Sequence, residues 1–255
     1  DRIDYSSDTP TAAAKGPLSA ARYGLAAASS RANGLPTTET RSATQTVGTP
    51  YGYFGGGAPG PYSTVDRIDY SNDTATAADK GPLSDTRWGM GATGNTSYGY
   101  FAGGSTLAPG WTLKSTVDRI DYSSDTTTLA VKGPLSAIRK MLSATGNGSY
   151  GYFGGGMIGP GSHSSIVDRI DYSNDTPTAS TKGPLSVAVV YLAATGNASY
   201  GYFGGGSNSS PATVSTVDRV DYSSDTPTAS TKGPLSLARY GMGATGNASY
   251  GYFGG

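Results

Sequence analysis

Five times the chain spells Tyr-Gly-Tyr-Phe followed by small residues, at Tyr51, Tyr98, Tyr150, Tyr200 and Tyr250. That recurrence limits the fold more than any other feature, because a period near fifty residues points to a propeller or a solenoid. A second phrase, Asp-Arg-Ile/Val-Asp-Tyr, starts at Asp1, Asp66, Asp118, Asp168 and Asp218, at intervals of 65, 52, 50 and 50 residues. The long first interval comes from an insertion over 29–50.

Each period divides into four short strands. The Asp-Arg-Ile-Asp-Tyr phrase is β-branched and aromatic and runs into Ser, Asn and Asp, which reads as a strand entering a tight turn. A Thr-rich strand follows and stops at Lys-Gly-Pro-Leu-Ser, the lysines being Lys15, Lys80, Lys132, Lys182 and Lys232. A small-residue strand such as Gly241 to Thr245 comes next, then a Gly-Asn turn, then the aromatic phrase. Four antiparallel strands per period make a propeller blade. The chain begins on the third strand of a blade and ends on the second, so residues 1–15 can complete the blade begun near its end and hide two open sheet edges.

The expectation is therefore an all-β single domain over 1–255, a five-bladed β-propeller of four-stranded antiparallel blades. Its blades are 16–80, 81–132, 133–182, 183–232 and a composite of 233–255 with 1–15, in which N- and C-terminal strands share one sheet. Five blades leave a narrow centre, and the small residues Gly24, Ala26, Gly89, Gly91, Gly241 and Gly243 suit close backbone approach there.

Composition fits this reading. There are 39 Gly and only 14% charged residues, yet 10% are aromatic, enough for strands that pack. Eighteen Lys and Arg balance eighteen Asp and Glu, so no global field favours nucleic acid. No apolar run approaches bilayer length, which argues against membrane insertion. The absence of cysteine removes disulfides and thiolate chemistry. The first residue is Asp1 rather than Met, as expected of a processed product or an excerpt from something longer.

Tyr202-Phe203-Gly204-Gly205, a variable loop, Val217-Asp218-Arg219-Val220-Asp221-Tyr222 and a polar turn together resemble kelch repeats over the whole chain. One departure is the tryptophan usual on the outer strand of kelch blades, replaced here by Thr or Ala, so the outer packing must differ. The wording of the repeat, Lys-Gly-Pro-Leu-Ser and Tyr-Gly-Tyr-Phe-Gly-Gly, is also similar to repeat-rich virion structural proteins of marine cyanophages. That resemblance implies a place on a virion or outside the cell, with other virion proteins among the partners.

Catalytic chemistry finds little support. His163 is the only histidine and falls in a Gly-Ser stretch, a poor place for a rigid triad. Asp168, Asp171 and Asp175 recur in every copy, and such carboxylates can bind calcium. Spread along a strand, they read better as structural: Asp175 setting an Asx turn, and Arg169 pairing with Asp168 or Asp171 between blades. Paired glycosidase carboxylates would be unique, not fivefold. Gly204-Gly205-Gly206 lacks the Gly-Lys-Ser/Thr of a phosphate loop. Five copies of the Lys-Gly-Pro-Leu-Ser lysine could ring an anion, although solvated lysines explain them as well. The expectation is a non-enzyme with no metal and no cofactor.

The copies differ from one another most in two places. Aligned, 171–205 and 221–255 differ at seven positions, six of them within 187–193. The second variable segment follows the paired glycines. In a four-stranded meander both segments emerge on one rim, and varied loops on a rigid scaffold are a common way to build a binding surface. Tyr23, Trp88, Trp111, Tyr191 and Tyr240 are the expected stacking anchors, with Tyr62 and Lys140 beside them and Arg22, Arg87, Arg139 and Arg239 as polar partners. A host-surface glycan or protein is the expected ligand; unrestrained loop drift and a purely structural spacer are the competing readings.

Overall fold

The computed structural model describes residues 14–21, 23–29, 51–59, 62–106, 111–209 and 212–255. Among these there is no helix, and the strands form a series of antiparallel sheets. The first sheet holds β1 (Ala26–Ser29), β2 (Tyr51–Gly55), β3 (Val65–Asp69) and β4 (Ala78–Lys80) in that spatial order. The second repeats it with β5 (Gly91–Gly94), β6 (Tyr98–Ala102), β7 (Val117–Asp121) and β8 (Ala130–Lys132). In the third, β9 (Ser143–Gly146) and β10 (Tyr150–Gly154) are followed by a small hairpin, β11 (Met157–Gly159) and β12 (Ser162–His163), before β13 (Val167–Asp171) and β14 (Ser180–Lys182). The fourth comprises β15 (Ala193–Gly196), β16 (Tyr200–Gly204), β17 (Val217–Asp221) and β18 (Ser230–Lys232). A fifth sheet contains β19 (Gly243–Gly246) and β20 (Gly251–Gly254). The arrangement is propeller-like. Residues 1–13, to which a shared closing strand was assigned, lie outside the described residues, as do 30–50 of the insertion.

Short side-chain caps shape each turn. Asn147 Oδ1 accepts the backbone N–H groups of Ser149 and Tyr150 at 2.9 and 3.0 Å, closing the hairpin between β9 and β10. Asp171 Oδ1 accepts both Ser173 N–H and Ser173 Oγ, at 2.9 and 2.7 Å, and the hydroxyl bond is the main reason its carboxyl sits below the usual carboxylate range. The Asx turn is thus set by Asp171 rather than by Asp175, a correction to the reading from sequence.

Asp175 has the other role. Its Oδ2 accepts Tyr100 Oη at 2.9 Å and Arg119 Nη1 at 2.8 Å, and Lys132 Nζ lies 3.3 Å from Oδ1; all three donors belong to the preceding repeat. Tyr53, Arg67 and Lys80 hold Asp125 in the same way, and Tyr152, Arg169 and Lys182 hold Asp225. Inter-repeat ion pairs therefore exist as expected, but Asp168 and Asp171 are not their acceptors. The first tyrosine of each aromatic phrase steadies the arginine: the Arg169 guanidinium lies 4.4 Å from the Tyr150 ring centroid. A Lys15–Asp73 contact at 3.3 Å is the matching lysine arm for the first sheet.

Packing between sheets accounts for the constant glycines. A Cβ on Gly154 would come within 2.7 Å of the Phe203 ring, and one on Gly204 within 2.8 Å of Phe253, so each aromatic strand leaves room for the next repeat's phenylalanine. Tyr53 stacks on Tyr122, Tyr100 on Tyr172 and Tyr152 on Tyr222 at 4.7–4.9 Å, each pair joining successive sheets. Such a pair adds about 0.5–1.5 kcal/mol beyond the area it buries. These stacks and the aspartate clasps join successive sheets.

The first strands of successive sheets pack in series, β1 on β5, β5 on β9, β9 on β15 and β15 on β19. A cavity of about 290 Å³ is lined by all five of them, with Ala27, Ala92, Ala144, Ala194 and Ala244 at equivalent places. Small residues do line the centre. Gly24, Gly89 and Gly241 have a different reason for being glycine, because their φ angles of 61°, 68° and 69° are left-handed.

Candidate binding face

The two variable segments of each repeat are joined by their backbones. Tyr23 and Ala58 exchange N–H···O bonds at 2.8 and 2.7 Å, and the same bridge links Trp88 to Ser105, Lys140 to Met157 and Val190 to Ser207. The residue before the innermost strand is thereby tied to the residue after the paired glycines, which brings both segments to one rim. Ala58, Trp88, Met141 and Val190, one from each of four repeats, form a buried apolar arc beneath it, with Met157 packed against them.

A buried arginine fixes the base of the second and third loops. Arg139 Nη1 donates to the carbonyls of Gly155 and Ile166 at 2.7 and 2.9 Å, the two ends of the third variable loop, while Nη2 donates to Asp168 at 2.7 Å. Arg87 does the same with Gly103, Thr116 and Asp118. Both guanidiniums are at most 1% exposed, and burial pulls their pKa down against the raising effect of the paired carboxylate. Arg87 and Arg139 are therefore not available as polar partners for a ligand; they hold the loops that would carry one. In the fourth repeat Val189 takes this place, and Asp218 instead accepts Ser186 N–H and Ser186 Oγ, both at 2.7 Å.

The remaining expected residues divide by exposure. Tyr23, Trp111 and Tyr240 are 60–62% exposed and Tyr191 is 40% exposed. Trp88 is buried and meets Trp111 edge-on at 5.4 Å, so it supports an anchor instead of being one. Tyr62 is half-buried and accepts the Arg87 N–H through its carbonyl at 3.1 Å. Arg239 is half-buried with Nη1 3.4 Å from the Gly255 carbonyl. Arg22 lies outside the described residues. Tyr191 and Tyr240 approach to 5.9 Å, joining repeats four and five, and burial with the neighbouring phenol raises the Tyr191 pKa. Lys140 is buried, its ammonium 4.7 Å from the Trp88 ring and 4.3 Å from the Trp111 ring.

A backbone ladder not anticipated from sequence also shapes the rim. Gly89 N–H donates to Gly24 O, Met141 N–H to Gly89 O, Tyr191 N–H to Met141 O and Gly241 N–H to Tyr191 O, at 2.6–3.0 Å. The five residues of this ladder share a left-handed backbone, and Met141 and Tyr191 adopt it at φ 58° and 56° where their counterparts are glycine. A bulky residue there is strained by about 1–2 kcal/mol. The glycines at 24, 89 and 241 mark the column in the sequence. His163 sits half-buried on β12 instead of in an open loop.

No protein-family model and no curated protein matches the sequence. Solved structures do match, 188 chains in all. One is the structure of YjhT, similar with a TM-score of 0.65 at 11% identity, over 77% of this chain and 66% of that one. At that identity the likeness bears on the fold alone.

Proposed function

We propose that the chain is a non-enzymatic recognition module, a closed five-bladed propeller that binds a cell-surface glycan or protein through the rim carrying Tyr23, Trp111, Tyr191 and Tyr240. The observation that carries this is the coupling of diversity to display: the two segments that vary between copies are bridged to each other, clamped from below and topped with exposed aromatics. Exposed aromatic anchors on a rigid base are the usual material of contact surfaces.

Closure is supported by equivalence. Lys15 reaches Asp73 as Lys80 reaches Asp125, and Gly16 N–H donates to the Asp73 carbonyl as Gly81 N–H does to Asp125. Residues 14–17 thus occupy the outer-strand end of a blade preceding the first. In that reading the two ends of the chain share one blade, beside a groove of about 370 Å³ lined by Tyr202, Lys232 and Tyr250.

The resemblance of the repeat wording to cyanophage virion proteins supports a position on a virion appendage. The test is binding of the purified chain to a glycan array and to host cells, with Trp111→Ala, Tyr191→Ala and Tyr240→Ala combined in one variant. Binding that the triple variant abolishes supports the reading. Unchanged binding removes this face, and binding only to a co-purified virion component makes the protein an assembly spacer.

A further inference from the structure

Lys140 is a rim cation without a carboxylate among the described residues. Arg87 has Asp118, Arg139 has Asp168 and the half-exposed Lys114 has Asp85 at 3.1 Å. Lys140 is only 6% exposed, yet among the described residues its ammonium has no anion within 4 Å and contacts two indole faces instead. A buried ammonium is costly unless paired, and cation–π contacts offset only part of that cost. Burial accordingly pushes its pKa below the usual lysine range. The residue is particular to one repeat: Tyr23, Trp88, Val190 and Tyr240 stand at the equivalent places. Nothing in the scaffold requires a cation there.

Trp111, which carries the Lys140 ammonium over one face of its ring, leaves 61% of its surface in solvent and crosses Trp88 at a steep angle with 5.4 Å between ring centroids. A flat apolar face held rigidly next to an unpaired cation suits a ligand that carries both complements on one ring. We infer that Trp111 and Lys140 form a subsite for a carboxylate-bearing sugar, its carboxylate on the Lys140 ammonium and the C–H face of its ring on the Trp111 indole. An aspartate or glutamate of a protein partner would satisfy the charge but bring no flat apolar face, since its carboxylate ends a flexible stem. This inference rests on the recognition reading above and specifies the class of ligand. Trp88 acts as a positioning residue, holding both groups from beneath.

Calorimetry on the full chain tests it with galacturonate, glucuronate and sialate oligosaccharides, each paired with its methyl ester, plus an oligoglutamate peptide. The acid form of at least one sugar is expected to bind, and its ester to bind at least about tenfold more weakly, the loss of one charged hydrogen bond. Lys140→Gln and Trp111→Ala should each weaken the acid by about tenfold or more, Lys140→Gln should erase the difference between acid and ester, and Lys140→Arg should restore part of it. Added salt should weaken the acid alone. Thermal melting of Lys140→Gln within a few degrees of the parent separates lost binding from lost folding. The inference is overturned by equal binding of acid and ester, by full binding in Lys140→Gln, by oligoglutamate binding as tightly as the sugar, or by no acidic sugar binding at all. Binding of neutral glycans that Tyr191→Ala and Tyr240→Ala abolish, but Lys140→Gln does not, would sink this subsite while leaving the recognition reading intact.

Discussion

Replacing Arg139 by valine asks whether the buried arginines clamp the loops. The side chain is fully buried, holds the carbonyls of Gly155 and Ile166 at 2.7 and 2.9 Å and pairs with an equally buried Asp168 at 2.7 Å. Breaking such a pair from one side costs about 3–5 kcal/mol, because the other charge stays buried. The protein contains its own comparison, since the fourth repeat has Val189 here and satisfies Asp218 with the Ser186 hydroxyl. Ser136 stands at the matching place and already donates its N–H to Asp168 at 3.0 Å. If its hydroxyl turns to the carboxylate as Ser186 does, one charged hydrogen bond worth about 1.5–3 kcal/mol returns.

The net loss for Arg139→Val is then about 1.5–2 kcal/mol, which for a chain of this size lowers the melting temperature by about 3–8 °C. Urea unfolding gives the free energy, and amide exchange from Gly155 to Ile166 reports the loop. Both should respond, exchange rising there and not in the second loop, which Arg87 still holds. A Ser136→Ala change should cost more in the Arg139→Val background than alone, the mark of a shared partner. A loss below about 1 kcal/mol, with unchanged exchange in that loop, would refute the clamp.

Three further outcomes follow from the same contacts. Tyr191→Gly should raise stability by about 1 kcal/mol by relieving its left-handed backbone, and should also weaken ligand binding; calorimetric stability that falls instead would mean the strain is not there. Gly133→Ala would set a Cβ 1.8 Å from the Pro177 carbonyl oxygen, whereas Gly148 has nothing within 4 Å, so urea midpoints should show a loss of about 1–3 kcal/mol for the first and under about 0.5 for the second. Burial and the bonds to Asp125, Asp175 and Asp225 hold the Tyr53, Tyr100 and Tyr152 phenols well above their ordinary value of 10. Since the folded pKa exceeds the unfolded one, their contribution is intact below about pH 10 and is lost as pH rises through the folded values. Phenolate absorbance from these residues should appear only together with loss of circular dichroism, and their free titration in the folded protein would contradict the buried clasp.

The strands and turns were legible because both depend on neighbours in sequence: alternating aromatics, Asn and Asp at turns, Gly-Pro stops. The partners of the charged groups were not. Asp171 and Asp175 are four residues apart and look interchangeable, yet one caps its own turn and the other reaches Arg119, 56 residues back. Arg87 and Arg139 were placed with the contact residues because they sit in the variable window beside Trp88 and Lys140, which were expected to meet a ligand. The signal against that placement was present, since arginine fills this column in four of the five copies, at 22, 87, 139 and 239. The hairpin β11–β12 left no trace in a Gly-Ser-rich segment, and neither did the cation held between Trp88 and Trp111, which are far apart in the chain.

What stays constant between copies is what one repeat presents to the next. Tyr152, Arg169 and Lys182 need Asp225, Tyr152 needs Tyr222, and Gly154 must stay small for Phe203. A change at any of these breaks a contact whose other half lies in a different copy, so the repeats cannot diverge there independently. The rim is tied differently, with inter-repeat packing such as Trp88 against Met141 and Val190 that holds no charged or hydrogen-bonded side-chain pair. Its bridges run through backbone atoms, as between Lys140 and Met157, and a backbone bond accepts tyrosine, tryptophan, lysine or valine alike. The side chains of those columns are free to differ, and the binding specificity proposed for this face depends on that freedom: one column supplies Tyr23, Trp88, Lys140 and Tyr240 on an unchanged frame, and only one of its five members places a cation between two indoles.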